Sequence, residues 1–174
     1  ALDMPCSFCY YANMACKPIF AFHAIYHFAF LYRILDFTHN LKKNLLYGSS
    51  TATFLLSYIS KLDSAVLFTN NILTALDAIE MWIRTHCIGG NSINGSPVLS
   101  GPEAYKGISG IYADILFFSS QSLDKNGVIS DSTEEENYLT SLMLNSSQKR
   151  VFLCDSGKFN THSLFTLAAI DDIE

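Results

Sequence analysis

Ala65-Val66-Leu67-Phe68, closed by Thr69-Asn70-Asn71 and followed by a helically periodic stretch from Ile72 to Ile83, is the segment that decides the fold. A short apolar run ending in small polar residues reads as a buried strand and the loop after it. The same unit stands on either side. Upstream, Asn44 to Tyr47 is closed by Gly48-Ser49-Ser50-Thr51, and Ala52 to Leu62 then carries Phe54, Leu55, Tyr58, Ile59 and Leu62 at helical spacing. Downstream, Thr85 to Ile88 is closed by Gly89-Gly90. Strand, polar loop and helix in repetition predict an α/β protein with a mostly parallel sheet. Right-handed crossovers bring every loop that follows a strand to one edge of such a sheet, and ligands bind outside the carboxyl ends of its strands.

The second half follows the rhythm less strictly. Asn91 to Ser100, with Asn94-Gly95 and Pro97, predicts a hairpin, and Ala104 to Tyr112 a short helix. Asp114 to Phe118 is a fourth strand, ending at Ser119-Ser120. Asp124-Lys125-Asn126-Gly127 is a turn. Ser132-Thr133 followed by Glu134-Glu135-Glu136 opens a helix that runs to about Leu144. Arg150 to Cys154 is a fifth strand, followed by Asp155-Ser156-Gly157-Lys158-Phe159, and Leu164 to Ala168 a sixth.

Residues 1–40 differ from the rest. They are rich in aromatics, nearly free of glycine, and read as helical, with Phe20 to Phe37 too apolar to face water all round. That segment is expected to pack on the sheet domain of residues 41–174 or on a second copy, which makes a homo-oligomer. Arg33 and Asp36 interrupt it, which argues against a membrane span.

The 174 residues are 49% hydrophobic and 16% charged, and 11 Lys and Arg against 16 Asp and Glu leave a net charge of −5. Such a chain buries a core without a staple, is not disordered, and makes a poor phosphate-backbone binder. The cysteines, Cys6, Cys9, Cys16, Cys87 and Cys154, are odd in number and lack a second Cys-x-x-Cys pair. Reduced thiols in a cytoplasmic protein are expected, with no metal and no cofactor, and Cys87 and Cys154 acting as small hydrophobes.

Two elements point to an anion. Gly48-Ser49-Ser50-Thr51 stands between a strand and a helix, where backbone N–H groups, hydroxyls and the helix N-terminus attract negative charge. Lys158 follows another strand and falls at the same sheet edge, where an ammonium can close on a bound anion.

The ordered set Leu67-Phe68-Thr69-Asn70-Asn71, Ile88-Gly89-Gly90, Ser100-Gly101-Pro102-Glu103-Ala104, Tyr112 to Ser119, Asn126-Gly127-Val128 and Val151 to Phe159 resembles the C-terminal sensor domain of DeoR-type bacterial transcription regulators. The Asp-Ser-x-Lys-Phe signature at Asp155 to Phe159 is its most specific piece. The resemblance covers about residues 40 to 174. It implies a three-layer fold similar to ribose-5-phosphate isomerase and glucosamine-6-phosphate deaminase, and a phosphorylated sugar as effector. It assigns the phosphate to Gly48, Ser49, Ser50, Thr51 and Lys158. It has Thr69, Asn70, Gly89, Gly90, Asp114, Ser119 and Asp155 line or shape the pocket. Tyr47, where family members often carry an acid, and Gln121-Ser122, where a glycine is common, depart from the pattern. The family's winged helix-turn-helix is not recognisable in residues 1–40, so DNA would be reached only through a domain outside this sequence.

The expected function is therefore effector sensing for a repressor of sugar metabolism, without catalysis. The alternative is a sugar-phosphate isomerase or deaminase. Its general base would have to be Asp114 or Asp124, and neither position suggests a carboxylate held in a pocket.

Overall fold

A computed structural model describes residues 19–22, 44–46, 53, 55–62, 64–92 and 95–173. In chain order the elements are β1 (Ile19–Phe22), β2 (Asn44–Leu46), α1 (Leu56–Ile59), β3 (Val66–Thr69), α2 (Ile72–Glu80), β4 (Arg84–Cys87), β5 (Asn91–Ser92), β6 (Leu99–Ser100) and α3 (Pro102–Ser109). Then come β7 (Ala113–Phe118), β8 (Ser122–Leu123), β9 (Val128–Asp131), α4 (Glu134–Asn145), β10 (Ser147–Asp155) and β11 (Phe165–Ala169), with 3₁₀ turns at Ser156–Lys158 and Ile170–Asp172.

Six strands form one sheet in the order β1-β10-β7-β2-β3-β4, and every pairing in it is parallel. Parallel strands need both faces covered, so their sequences lose the polar alternation of an exposed sheet. The central strands obey this rule. Ile115 and Phe117 of β7, with Val151 and Leu153 of β10, join Leu67, Leu55, Leu56, Ile59 and Ala78 in a cluster on one face. Their neighbours Leu116, Phe118, Phe152 and Cys154 point the other way and meet Ala104, Ile108, Leu139 and Met143 of α3 and α4. The period of two along each strand thus divides one apolar run between two cores, and the result is the three-layer α/β fold expected.

Register aligns the strand ends. Phe22 lies beside Asp155, Phe152 beside Phe118, Leu46 beside Phe117 and Thr69, and Thr69 beside Cys87. The carboxyl ends of β2, β3, β4, β7 and β10 therefore lie at one edge.

Four expectations need correction. The helix foreseen for residues 1–40 is replaced at Ile19–Phe22 by an edge strand beside β10, so this part of the segment belongs to the sheet. The rest of residues 1–40, including Cys6, Cys9, Cys16 and Phe28 to Phe37, lies outside the described residues. The helix foreseen over Ala52 to Leu62 ends early: Thr53 is helical and α1 spans Leu56–Ile59, Ser60 and Lys61 lie in turns, and Ala52 and Phe54 lie outside the described residues. β11 does not extend the main sheet. It pairs antiparallel with β9, which pairs with β8, in a separate three-stranded sheet. β8 and β9 are too short and too rich in serine to announce themselves as strands. Finally, Cys154 is buried as a small hydrophobe, but Cys87 is exposed because β4 is an edge strand. The hairpin foreseen between Asn91 and Ser100 is present as β5–β6.

Candidate effector site at the carboxyl edge of the sheet

Thr69, Asn70 and Asn71 leave β3, and each has a distinct task. The Thr69 hydroxyl accepts from the Asn71 N–H at 3.1 Å. Asn71 caps α2, its Oδ1 accepting from Leu73 N at 2.9 Å and Thr74 N at 3.2 Å. Asn70 ties the β5–β6 hairpin to the sheet from both sides of Leu99. Its carbonyl accepts from Leu99 N at 2.8 Å and its Nδ2 donates to Leu99 O at 2.8 Å. The Nδ2 bond fixes the amide's orientation. Oδ1 is then left buried with no hydrogen bond, although the residue is fully enclosed. A buried amide oxygen without a donor costs about 1–3 kcal/mol, so a donor that reached it would bind at an advantage.

The two glycines after β4 behave differently. Gly90 adopts φ +138°, and a Cβ there would stand 2.6 Å from the carbonyl oxygen of Ser100. Glycine at this point lets β6 lie against the chain leaving β4. At Gly89 a Cβ would meet nothing within 4 Å, so that position is open.

At the end of β7 the Ser119 hydroxyl is buried and receives a hydrogen bond from Lys158 Nζ at 2.9 Å. Lys158 ends the 3₁₀ turn that follows β10. From Ser119 a series of hydrogen bonds joins further serines: Ser119 Oγ donates to Ser120 O, Ser120 Oγ donates to Ser122 O, Ser122 Oγ bonds Ser163 Oγ, and Ser163 N donates to Ser130 Oγ.

Asp131, the last residue of β9, is the functional candidate that sequence reading missed. It is 4% exposed. Burial pushes its carboxyl up to about 6. The Ser132 N–H that donates to it opposes the shift, Glu136 adds to it, and the Lys158 ammonium opposes it. The signal available in the sequence was a carboxylate ending the run Val128-Ile129-Ser130, and it carried weight only once that run was known to be a strand.

The expected site residues fall into three groups. Lys158 and Ser119 are joined directly, while Thr69 ends β3 and Asn70, Gly89 and Gly90 follow strands at the same edge. Asp114 is the second residue of β7, four positions before the strand's carboxyl end, and stands toward the opposite edge of the sheet. Asp155 ends β10 at the right edge, but its side chain, like all of Gly48, Ser49, Ser50 and Thr51, lies outside the described residues. Asp124, the other acid considered for catalysis, serves its own turn. Its Oδ1 accepts from Asn126 N and Val128 N, each at 2.8 Å, and these bonds hold the carboxyl below the usual carboxylate range. Among the described residues no three His, Cys, Asp or Glu side chains gather as metal ligands, and no helix is long and apolar enough to cross a membrane.

A parallel α/β sheet with an ammonium hydrogen-bonded to a serine at its carboxyl edge defines a class of ligand-binding α/β domains. Within that class, the DeoR C-terminal sensor domain model matches residues 44–174, and the chain belongs to this family of regulatory effector sensors. No curated protein sequence matches the chain. Solved structures of similar fold include ribose 5-phosphate isomerases. That from Plasmodium falciparum shares 19% identity at a TM-score of 0.50, over 77% of this chain and 52% of its own. That from Methanocaldococcus jannaschii shares 10% identity at 0.51, over 74% and 51%. A third, a D-ribose-5-phosphate isomerase in complex with phospho-erythronic acid, shares 12% at 0.51, over 74% and 51%. The chain spans about half the length of these enzymes, and at such identities the likeness is one of fold.

Proposed function

We propose that this sensor domain binds a phosphorylated sugar at the carboxyl edge of its sheet and acts in a repressor of sugar metabolism, without turnover. The observation that carries this reading is the Lys158 ammonium, held on Ser119 at 2.9 Å where the strand ends converge. The phosphate dianion sits on Gly48, Ser49, Ser50 and Thr51, with Lys158 closing from the neighbouring turn. The buried Asn70 Oδ1 takes a hydroxyl hydrogen of the sugar, which relieves its unmade hydrogen bond. Gly89 leaves room for the ligand, and Asp155 borders the phosphate. The similar isomerase that holds phospho-erythronic acid, a phosphorylated sugar acid, supports the ligand class. The domain passes the bound state to a DNA-binding domain carried outside this sequence, within a cytoplasmic protein.

The test is a thermal-shift screen of sugar mono- and bisphosphates followed by calorimetric titration of the best ligand. A charge-assisted hydrogen bond contributes about 1.5–3 kcal/mol, so Lys158→Ala should weaken binding roughly 10- to 150-fold. Equal dissociation constants for wild type and variant would remove Lys158 from the site.

One observation favours a second reading. A buried carboxyl at Asp131, titrating near neutrality beside an ammonium, is what general base chemistry on a sugar phosphate requires. Turnover of ribose 5-phosphate or glucosamine 6-phosphate by wild type, abolished in Asp131→Asn, would make the domain an enzyme.

A further inference from the structure

Asp131 is a buried charge with few partners. It ends β9, precedes α4 and is 4% exposed. Among the described residues its side chain accepts one hydrogen bond, from the N–H of its own neighbour Ser132 at 2.9 Å. A carboxylate taken out of water needs more than that, either a cation or a proton. Two charged groups act on it. Glu136, from the first turn of α4, repels it, and Lys158, from the turn after β10, attracts it. The serines connect the two residues through the fold. Ser119 holds the Lys158 ammonium at 2.9 Å, and the series that runs on through Ser120, Ser122 and Ser163 ends at Ser130, next to Asp131. Lys158 therefore has a carboxylate of its own chain within electrostatic reach before any ligand arrives.

An anion that reaches Lys158 meets the same carboxylate. Two negative groups competing for one ammonium inside a protein are not both kept ionised, and the one that yields is the one already inclined to take a proton. Asp131 is that group, because burial first and Glu136 second have raised its carboxyl to about 6. Protonation also changes what it offers. The ionised group only accepts hydrogen bonds and repels an anion, whereas the neutral group has an O–H to donate. We propose that Asp131 is an internal counter-ion of Lys158, and that an anionic effector binds Lys158 with uptake of a proton by Asp131. The proton comes from solvent and turns the carboxylate into a carboxylic acid, with no other bond made or broken. Given the anion site proposed above, on which this assignment rests, the domain holds firmly at low pH an anion that it binds weakly at high pH.

Inorganic sulfate is the probe, because it remains a dianion across the range in which Asp131 titrates. The melting temperature of the 174-residue protein against sulfate concentration, at an ionic strength held constant with chloride, gives the affinity near pH 5 and near pH 8. Lys158→Ala subtracts the general stabilisation that sulfate gives any fold. Wild type should bind sulfate roughly 10- to 100-fold more tightly near pH 5, the upper figure being the ratio of ionised to neutral carboxyl at pH 8 for a group titrating at about 6. Asp131→Asn should bind it equally at both values, and near pH 8 about as tightly as wild type does near pH 5. A gain of affinity on removing a charge from the site is not what a merely structural role predicts. His162, which stands 4.0 Å from Asp124, and Asp155 are present in both proteins. A pH dependence that persists in Asp131→Asn therefore assigns the proton to another group and overturns the proposal. So does a wild-type affinity that is the same at both values. Calorimetry of sulfate binding to wild type near pH 7, in buffers of different ionisation heat, counts the proton without any variant, and binding with none taken up also overturns it. Sulfate that stabilises neither wild type nor Asp131→Asn beyond Lys158→Ala at either pH is a different result: the anion site itself fails, and the counter-ion role falls with it.

Discussion

Of the helices that flank the sheet, α2 departs from the rule that α1, α3 and α4 follow, α1 burying Leu56 and Ile59 in the core it shares with α2. On one side, α3 and α4 send Ala104, Ile108, Leu139 and Met143 inward and keep Glu103, Lys106, Glu134 and Glu135 outside. On the other, α2 sends threonine and alanine inward and Leu73, Leu76 and Ile79 outward. Both layers have the helical period of apolar residues, and both cover apolar strands. The difference teaches that periodicity finds a helix without saying which face meets the sheet. Small residues at i, i+1 and i+4, here Thr74, Ala75 and Ala78, let the helix axis approach closely, and a large residue on that face would hold it off.

The largest expected effect breaks the comparison open at matched leucines. Leu139→Ala removes a fully buried side chain from the α4 layer and should cost about 2–5 kcal/mol of stability. Leu76→Ala, the same chemistry on the outward face of α2, should change the stability of the isolated subunit by no more than about 0.5 kcal/mol. Urea unfolding at low protein concentration measures both. Comparable losses at the two positions would mean that α2 is packed on its outer side within the subunit.

Next in size is Asp131, which stands just before α4. Its folded-state carboxyl titrates at about 6, against an ordinary value of 3.8. The native state therefore holds this proton more tightly than the unfolded chain. Its contribution to stability is fully present below pH 4 and is lost as pH rises through 6. The loss reaches up to about 3 kcal/mol, because each tenfold difference in proton affinity between the folded and unfolded chain is worth about 1.36 kcal/mol. Asp131→Asn keeps the size and removes the titration. Relative to wild type it should be neutral near pH 4 and gain stability above pH 6, the gain being reduced by the lost attraction to Lys158. Chemical unfolding of the pair at pH 4.5 and pH 8 reads this directly. A gain that is the same at both values would show that burial of the charge is not what the substitution relieves.

The asymmetry between the layers also explains what the sequence disclosed. Val66 to Thr69, Ala113 to Phe118 and the core of β10 were legible because strands buried on both faces must be continuously apolar. The polar residues closing them marked the carboxyl edge, and Lys158 and Ser119 could be assigned to it. Ile19–Phe22 was not legible as a strand, since Phe20 and Phe22 lie in a run whose length and apolarity suit a helix equally well. Asp131 stayed hidden because β9 is a short strand that mixes Val128 and Ile129 with Ser130, and one of its partners, β11, is distant in sequence. Nor could the unmade bond of Asn70 Oδ1 be foreseen. It arises from the hairpin folding back on Asn70 through Leu99, twenty-nine residues further along the chain.

The smallest expected effect concerns how α2 is held in place while so little of it is buried by large side chains. Its first turn exposes backbone donors that have no partner within the helix, and Asn71 supplies one acceptor for two of them, Leu73 N and Thr74 N. Asn71 has the extended backbone of a cap residue, φ −102° and ψ 119°, and is 6% exposed, so water cannot readily take over its role. Asn71→Ala should cost about 1 kcal/mol, within the 0.5–2 kcal/mol span of cap deletions, and lower the melting temperature by about 2–4 °C for a chain of this size. Asn71→Asp keeps the acceptor and adds negative charge at the positive end of the helix, so it should recover most of the loss. The contrast with the other layer is the sharper reading. At α4 the Thr133 side chain makes no hydrogen bond to the backbone of its own first turn, its hydroxyl donating instead to Glu136 Oε2. Thr133→Ala should therefore cost less than Asn71→Ala, although threonine is a common cap. If thermal melts ranked the two the other way, α4 would be the layer held by its cap and α2 the layer held by its packing.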